Sequence, residues 1–140
     1  MKEYFFWMDS RSVPHVPQPA QRILAENYVS QLAGKIVYYS GEDWITAPMQ
    51  VGLKEKIKRA STVDGFIFFT IQQFNYGASF NFSLMKQMLT MGFEMHFSRE
   101  AFSLYTLNDL HEKFNRLYLY DVSSAQQRRF DLQGELLPKN

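Results

Sequence analysis

Apolar residues fall along this chain in short runs divided by polar stretches, and the spacing inside the runs alternates between two types. Tyr4-Phe5-Phe6-Trp7-Met8 is continuous, as in a strand covered on both faces. Asp9-Ser10-Arg11-Ser12-Val13-Pro14-His15-Val16-Pro17 is broken by prolines and short polar residues and predicts a loop. Gln18 to Leu32 carries approximate helical spacing at Ile23, Tyr28 and Leu32, with Leu24 and Gln31 nearby, and Gly34 predicts the stop. Lys35 to Ser40 predicts a second strand. Met49 to Ala60 predicts a second helix, with Leu53, Ile57 and Ala60 on its apolar face and Lys54, Lys56, Lys58 and Arg59 mostly on the other. The basic cluster is expected to be a solvated face, and a phosphate-binding patch is the other reading.

Gly65 to Phe69 is the most apolar stretch and predicts a central third strand. Thr70 to Asn81 is polar and predicts a loop. Phe82 to Met91 predicts a helix with Leu84, Met85, Met88 and Leu89 inward, ended by Gly92. Phe93 to Phe97 alternates polar and apolar residues, which predicts a fourth strand with one less buried face. Leu107 to Phe114 predicts a last helix, capped by Thr106 or Asn108. Leu117 to Tyr120 predicts a short extra strand. Residues 1–122 form one α/β domain on this reading, and 123–140 a polar tail. Strand and helix alternate, so the sheet should be mostly parallel, of four or five strands, with right-handed crossovers. The expected architecture is three layers (αβα) with the flavodoxin-like order 2-1-3-4.

Composition narrows the function classes. The chain has 140 residues, 46% hydrophobic and 21% charged, with 15 basic against 14 acidic side chains and a net charge of +1. That near-balance gives no global attraction to nucleic acid or to an anionic membrane. There is no cysteine, which excludes a disulfide framework and a thiolate zinc site. No apolar run approaches the roughly 20 residues of a membrane span. The first residues do not read as a signal peptide, so the expected compartment is the cytoplasm. Aromatic residues make up 16% of the chain, enough for a large core and, as a second use, a pocket lining or an oligomer surface.

The candidate site follows from topology. Open α/β sheets bind ligands at the carboxyl ends of their strands, near the point where strand order reverses. There the first strand delivers Ser10, Arg11 and Ser12, the second Ser40, Glu42 and Asp43, and the third Thr70, Gln72 and Gln73. The fourth carries Glu94 and His96 and ends at Ser98, Arg99 and Glu100. His96 could act as a general base oriented by Glu94 or Glu100. It could equally be a histidine satisfied by a carbonyl or a neighbouring carboxylate. Arg11 offers a planar fork for a phosphate or carboxylate, or a surface salt bridge. Ser10 and Ser12 lie outside any G-x-S-x-G elbow and suit loop capping. His15, His96 and His111 have no metal-ligand spacing, so no metal is expected. No P-loop and no G-x-G-x-x-G occurs, and no cofactor is expected.

Three stretches together resemble the sporadic carbohydrate cluster proteins, small bacterial proteins encoded among genes for surface polysaccharide and lipopolysaccharide synthesis. They are Val16-Pro17-Gln18-Pro19-Ala20-Gln21, Asp64 to Phe74 (Asp-Gly-Phe-Ile-Phe-Phe-Thr-Ile-Gln-Gln-Phe), and Gly92 to Glu100 (Gly-Phe-Glu-Met-His-Phe-Ser-Arg-Glu). The resemblance runs from Phe5 to Phe114. It implies functional positions at Ser10, Arg11, Pro17, Gln18, Gln21, Glu42, Thr70, Gln73, Glu94, His96, Phe97 and Glu100. Thr70 stands where that family has serine, and Asn75 where it often has proline. A weaker resemblance is to the catalytic domain of serine recombinases, which also place a serine just after the first strand. Those domains carry Asp-Arg after the third strand, where this chain has Gln72-Gln73, and no DNA-binding tail is expected from residues 115–140.

The resemblance implies a cytosolic enzyme or accessory factor of surface-glycan (O-antigen or capsule) synthesis acting on a nucleotide sugar or sugar acid. Arg11 would hold the anionic group, Glu42 and Gln73 would bond hydroxyls, and His96 would move a proton. Two rival expectations stand beside it. One is a non-catalytic scaffold of the same gene cluster that forms a homodimer through its aromatic surface. The other is a recombinase-like domain without its catalytic arginines. No nucleic-acid partner is expected under the leading reading.

Overall fold

The computed structural model describes residues 1–9, 11, 13–60, 62–76 and 79–117. The chain runs through β1 (Lys2–Met8), α1 (Gln18–Gln31), β2 (Gly34–Gly41), a 3₁₀ turn (Ala47–Met49), α2 (Val51–Ile57) and β3 (Gly65–Phe68). A second 3₁₀ turn (Ile71–Phe74) follows, then the short pair β4 (Asn75–Tyr76) and β5 (Ser79–Phe80). The described part closes with α3 (Phe82–Thr90), β6 (Glu94–Phe97), β7 (Phe102–Leu104) and α4 (Leu107–Glu112). The main sheet has five strands in the order β2-β1-β3-β6-β7. The first four pair in parallel and β7 pairs antiparallel to β6, so the sheet is mixed and mostly parallel.

Strand alternation sorts the core into two layers. Phe5, Trp7, Phe66, Phe68, Met95 and Phe97 point to the face covered by α2, α3 and α4, against Leu53, Ile57, Leu84, Met85, Met88 and Leu110. Tyr4, Phe6, Ile67 and Phe69 point to the opposite face, with Ala25 and Val29 of α1 and Val13 of the loop before it. Each fully buried Phe, Leu or Met contributes about 1.5–3 kcal/mol, so this aromatic sheet is the main source of stability. Caps fix the entry of three elements. Thr70 and Gln73 form a capping box on the 3₁₀ turn, Asn81 caps α3, and Thr106 and Asp109 form a capping box on α4.

Several sequence expectations need correction. The buried residues of α1 are Gln21, Ala25 and Val29; Ile23 (59% exposed) and Leu24 face outward, while Tyr28 is half-buried and reaches the sheet face through Ser103. The sheet residues under α1 are bulky, so close packing selects small Ala25 rather than the more apolar neighbours. The chain leaves α1 through Ala33 at φ 57, and Gly34 already belongs to β2. The helix expected at Met49–Ala60 is shorter, Val51–Ile57, and left-handed Gln50 separates it from the 3₁₀ turn that holds Met49. The alternating residues of β6 have no exposed face: Glu94 and His96 are buried along with Met95 and Phe97. The fifth strand of the described sheet is Phe102–Leu104, and of the strand expected at Leu117–Tyr120 only Leu117 is described. Leu117 is helical, and residues 118–140, including the expected tail, lie outside the described residues.

Candidate functional site

β1 and β3 lie side by side at the middle of the sheet, and the chain leaves them toward opposite faces, which is the reversal point of an open α/β sheet. Gln73 fastens this point. Its amide oxygen accepts from Phe69 N at 2.8 Å and Thr70 N at 3.2 Å, and its amide nitrogen donates to Trp7 O at 3.0 Å. The ends of β3 and β1 are thus held by one buried side chain. Glu100, past the end of β6, accepts from the Thr70 hydroxyl at 2.9 Å and from Ile71 N at 2.5 Å. Burial pushes its carboxyl above the usual range, against the pull of these two donors. Ser98 N and Arg99 N donate to Phe68 O and Phe69 O at 2.9 and 2.8 Å, which ties the same turn to β3.

Glu42 leaves β2 and accepts from Gly52 N at 2.9 Å and Leu53 N at 2.7 Å. It therefore caps α2 from a distance, a role that Gln50 in its left-handed conformation does not fill. Burial pushes the Glu42 carboxyl up. A methyl at position 52 would meet a Glu42 oxygen at 2.8 Å, so the glycine is what lets the carboxylate close on the backbone. Glu42, Thr70, Gln73 and Glu100 are thus brought to one edge, as expected, but their polar atoms are engaged by the protein itself. They build the edge instead of reaching out from it.

Arg11 is different. Its backbone N–H donates to Asp9 Oδ1 at 3.0 Å, which bends the loop, and its side chain is exposed. Nη1 donates to Trp44 O at 2.7 Å and the guanidinium lies 5.7 Å from the Trp44 ring centre. No other acceptor for the guanidinium is found among the described residues. Trp44 is 57% exposed and sits with exposed Ile45 and Met49 on the loop after β2. Gln18 opens α1 and is exposed, whereas Gln21 is buried and donates to Val16 O at 3.0 Å, closing the loop that carries Arg11. Ser10 and Ser12 lie outside the described residues.

Glu94 and His96 form a separate cluster. Glu94 stands at the opposite end of β6 from Glu100 and faces the α1 side with His96. Glu94 Oε1 accepts from Tyr4 Oη at 2.9 Å and pairs with His96 Nε2 at 2.9 Å, and Oε2 takes Lys2 Nζ at 2.5 Å. His96 Nδ1 meets Ser103 Oγ at 2.7 Å, and Ser103 Oγ meets Tyr28 Oη at 2.7 Å. Burial pushes Glu94 up, but the Lys2, His96 and Tyr4 bonds outweigh it and hold the carboxyl below its usual range. An ionised carboxylate only accepts, so Nε2 carries the histidine proton and Nδ1 accepts from Ser103. Burial holds the imidazole below its ordinary pKa, against the pull of Glu94, which favours the neutral ring.

His96 is 0% exposed, packed edge-on against Tyr4 and Tyr105. Both ring nitrogens are engaged, and Glu100 is not its partner. The arrangement is that of a histidine satisfied by a carboxylate and a hydroxyl, on the α1-side face where Tyr28 meets Ser103. Lys2, Tyr4, Tyr28 and Ser103 of this network were not expected from the sequence. Only the alternation at Glu94 and His96 signalled it, and the partners come from three other elements, β1, α1 and β7. His15 and His111 are exposed, and among the described residues no cluster of acidic or histidine side chains could hold a metal.

No protein-family model matches the sequence. No curated protein sequence matches it either. Among solved structures, the chain superposes on a resolvase-family site-specific recombinase from Streptococcus pneumoniae with a TM-score of 0.64, 12% identity and 97% of each chain covered. The fold resembles that of a resolvase. At this identity the likeness speaks to the fold alone, and it bears out the recombinase-like architecture read from the serine after β1. The resolvase-like sheet places Arg11 in the loop after β1, with Gln72 and Gln73 in the turn after β3. Among the described residues, no helix is long and apolar enough to cross a membrane.

Proposed function

We propose that the protein binds an anionic sugar, a sugar acid or a nucleotide sugar, at the carboxyl edge of its sheet, and serves as an accessory factor in synthesis of a bacterial surface glycan. One observation carries the binding site. Arg11 and Trp44, 33 positions apart in sequence, are joined by a 2.7 Å bond and stand exposed together above an edge where Glu42, Gln73 and Glu100 are engaged by protein donors. Arg11 supplies forked donors for a carboxylate or phosphate. The Trp44 ring supplies an apolar face for the C–H side of a sugar ring. The link to glycan synthesis rests on the resemblance of the Pro17-Gln18, Thr70–Gln73 and Glu94–Glu100 stretches.

Binding without proton transfer fits the geometry better than catalysis. His96 has no free nitrogen, and Glu42, Gln73 and Glu100 are engaged by backbone. The test is calorimetric titration with N-acetylneuraminic acid, glucuronic acid and UDP-glucose, beside a DNA duplex. Binding of one sugar that is lost in Arg11→Ala and weakened in Trp44→Ala, with unchanged melting temperature, supports the reading. Duplex binding with a steep salt dependence, and none to sugars, would replace it with a nucleic-acid role.

A further inference from the structure

The basic cluster on α2 does not act as one patch. Lys58 pairs with Glu55 at 3.2 Å, and Lys54 lies beside Met49, Phe74 and Asn81 near the carboxyl edge. Lys56 and Arg59 share a different place. They flank a cavity of about 370 Å³ beside β2, floored by Phe5, Tyr38 and Val63 and bordered by Thr62. Neither Lys56 nor Arg59 has an acidic partner among the described residues, and no acidic side chain lines the cavity. The helix dipole accounts for a cation in the last turn of α2. It does not account for two unpaired cations over an aromatic floor.

The floor is made by an irregularity in the sheet. Tyr4 pairs with Ile36 and Phe5 with Tyr38, so β2 bulges at Val37. The extra residue turns Tyr38 to the same face as Phe5. Their rings lie 5.5 Å apart and tilted by 36°, forming one continuous aromatic surface. Phe5 is buried but Tyr38 is 51% exposed, so the open part of that surface belongs to Tyr38. Lys56 Nζ sits 5.6 Å from the Phe5 ring centre, which holds its charge at the cavity mouth. β2 is an edge strand, so the backbone of Tyr39 at the rim has one side without a strand partner.

We propose that this cavity is a nucleotide-binding site, taking a planar base on Tyr38 and its phosphate between Lys56 and Arg59. The volume is within the range of small-ligand pockets. The chemistry is aromatic stacking plus paired cations, so it needs none of the glycine-rich phosphate loops this chain lacks. The site lies toward the amino ends of the strands, away from Arg11, and is independent of the sugar site at the carboxyl edge.

Calorimetric titration of the full chain with AMP, adenosine and ribose 5-phosphate tests it. AMP should bind, with adenosine and ribose 5-phosphate each at least about tenfold weaker, since each lacks one of the two recognised groups. Lys56→Gln combined with Arg59→Gln should weaken AMP by at least about tenfold while leaving the phosphate-free stacking of adenosine unchanged. Tyr38→Ala should weaken AMP but not ribose 5-phosphate. All these positions are at the surface or its margin, and an unchanged melting temperature verifies that the variants fold. The proposal is overturned by absence of AMP binding at millimolar concentration, by equal affinity for AMP and ribose 5-phosphate, or by indifference to the double variant. AMP binding lost in Arg11→Ala and kept in the double variant would assign the nucleotide to the carboxyl edge, and would likewise overturn it.

Discussion

Replacing His96 by alanine separates a structural histidine from a catalytic one. The imidazole is fully buried, and its removal leaves a cavity between Tyr4, Tyr28 and Tyr105. It also takes the acceptor from Ser103 and one of three donors from Glu94. Lys2 and Tyr4 remain on Glu94, so its charge stays compensated. Cavity formation and the orphaned hydroxyl together give about 3–5 kcal/mol of destabilisation. That is a large share of the ~5–15 kcal/mol typical of a domain. At about 3–5 °C per kcal/mol for a chain of this size, the melting temperature falls by ~10–20 °C. Urea unfolding followed by circular dichroism should show the midpoint moving with an unchanged slope. His96→Gln, which can donate to Glu94 and accept from Ser103, should recover part of the loss. A melting temperature within about 2 °C of the parent in His96→Ala would refute the structural role.

The same histidine sets a pH dependence. Its folded pKa is lowered, so between that value and the ordinary 6.5 the unfolded chain binds more protons than the folded one. Stability is therefore full above 6.5 and is lost as pH falls through the folded value, and Glu94, also lowered, adds a further loss below 4.5. Glu42 and Glu100 are raised and act with the opposite sign, gaining stability as pH falls toward 4.5. Glu42 and Glu100 are common to both proteins, so the urea midpoint of the parent relative to His96→Gln should fall as pH drops from about 7 to about 5.5; parallel slopes in the two proteins would refute the assignment. Glu42→Ala should cost about 1–2 kcal/mol by uncapping α2, read by thermal unfolding, with Glu42→Gln closer to the parent. Gly65→Ala should destabilise strongly, because the added methyl would meet the Glu94 carbonyl carbon at 2.8 Å in the centre of the sheet. A melting temperature unchanged in that variant would contradict the close approach of β3 and β6.

Much of the frame was legible from local pattern. The continuous apolar runs at Tyr4–Met8 and Gly65–Phe69 can be satisfied only between two layers, and they became β1 and the central β3. The inward residues of α3 followed from helical spacing, because one face of that helix is much more apolar than the other. The carboxyl-edge placement of Glu42, Thr70, Gln73 and Glu100 followed from strand order. Tertiary structure decided the rest. α1 turned Gln21, Ala25 and Val29 inward and left Ile23 and Leu24 exposed because of the bulky sheet beneath it, a fact about another segment. β7 is three residues long and gains its place only by pairing with β6. Glu94 and His96 look like a half-exposed pair in sequence. They are buried because Lys2, Tyr4, Tyr28 and Ser103 arrive from elsewhere to satisfy them. A polar side chain's role depends on which partners the fold brings within about 3 Å, and that distance has no local signature in the chain.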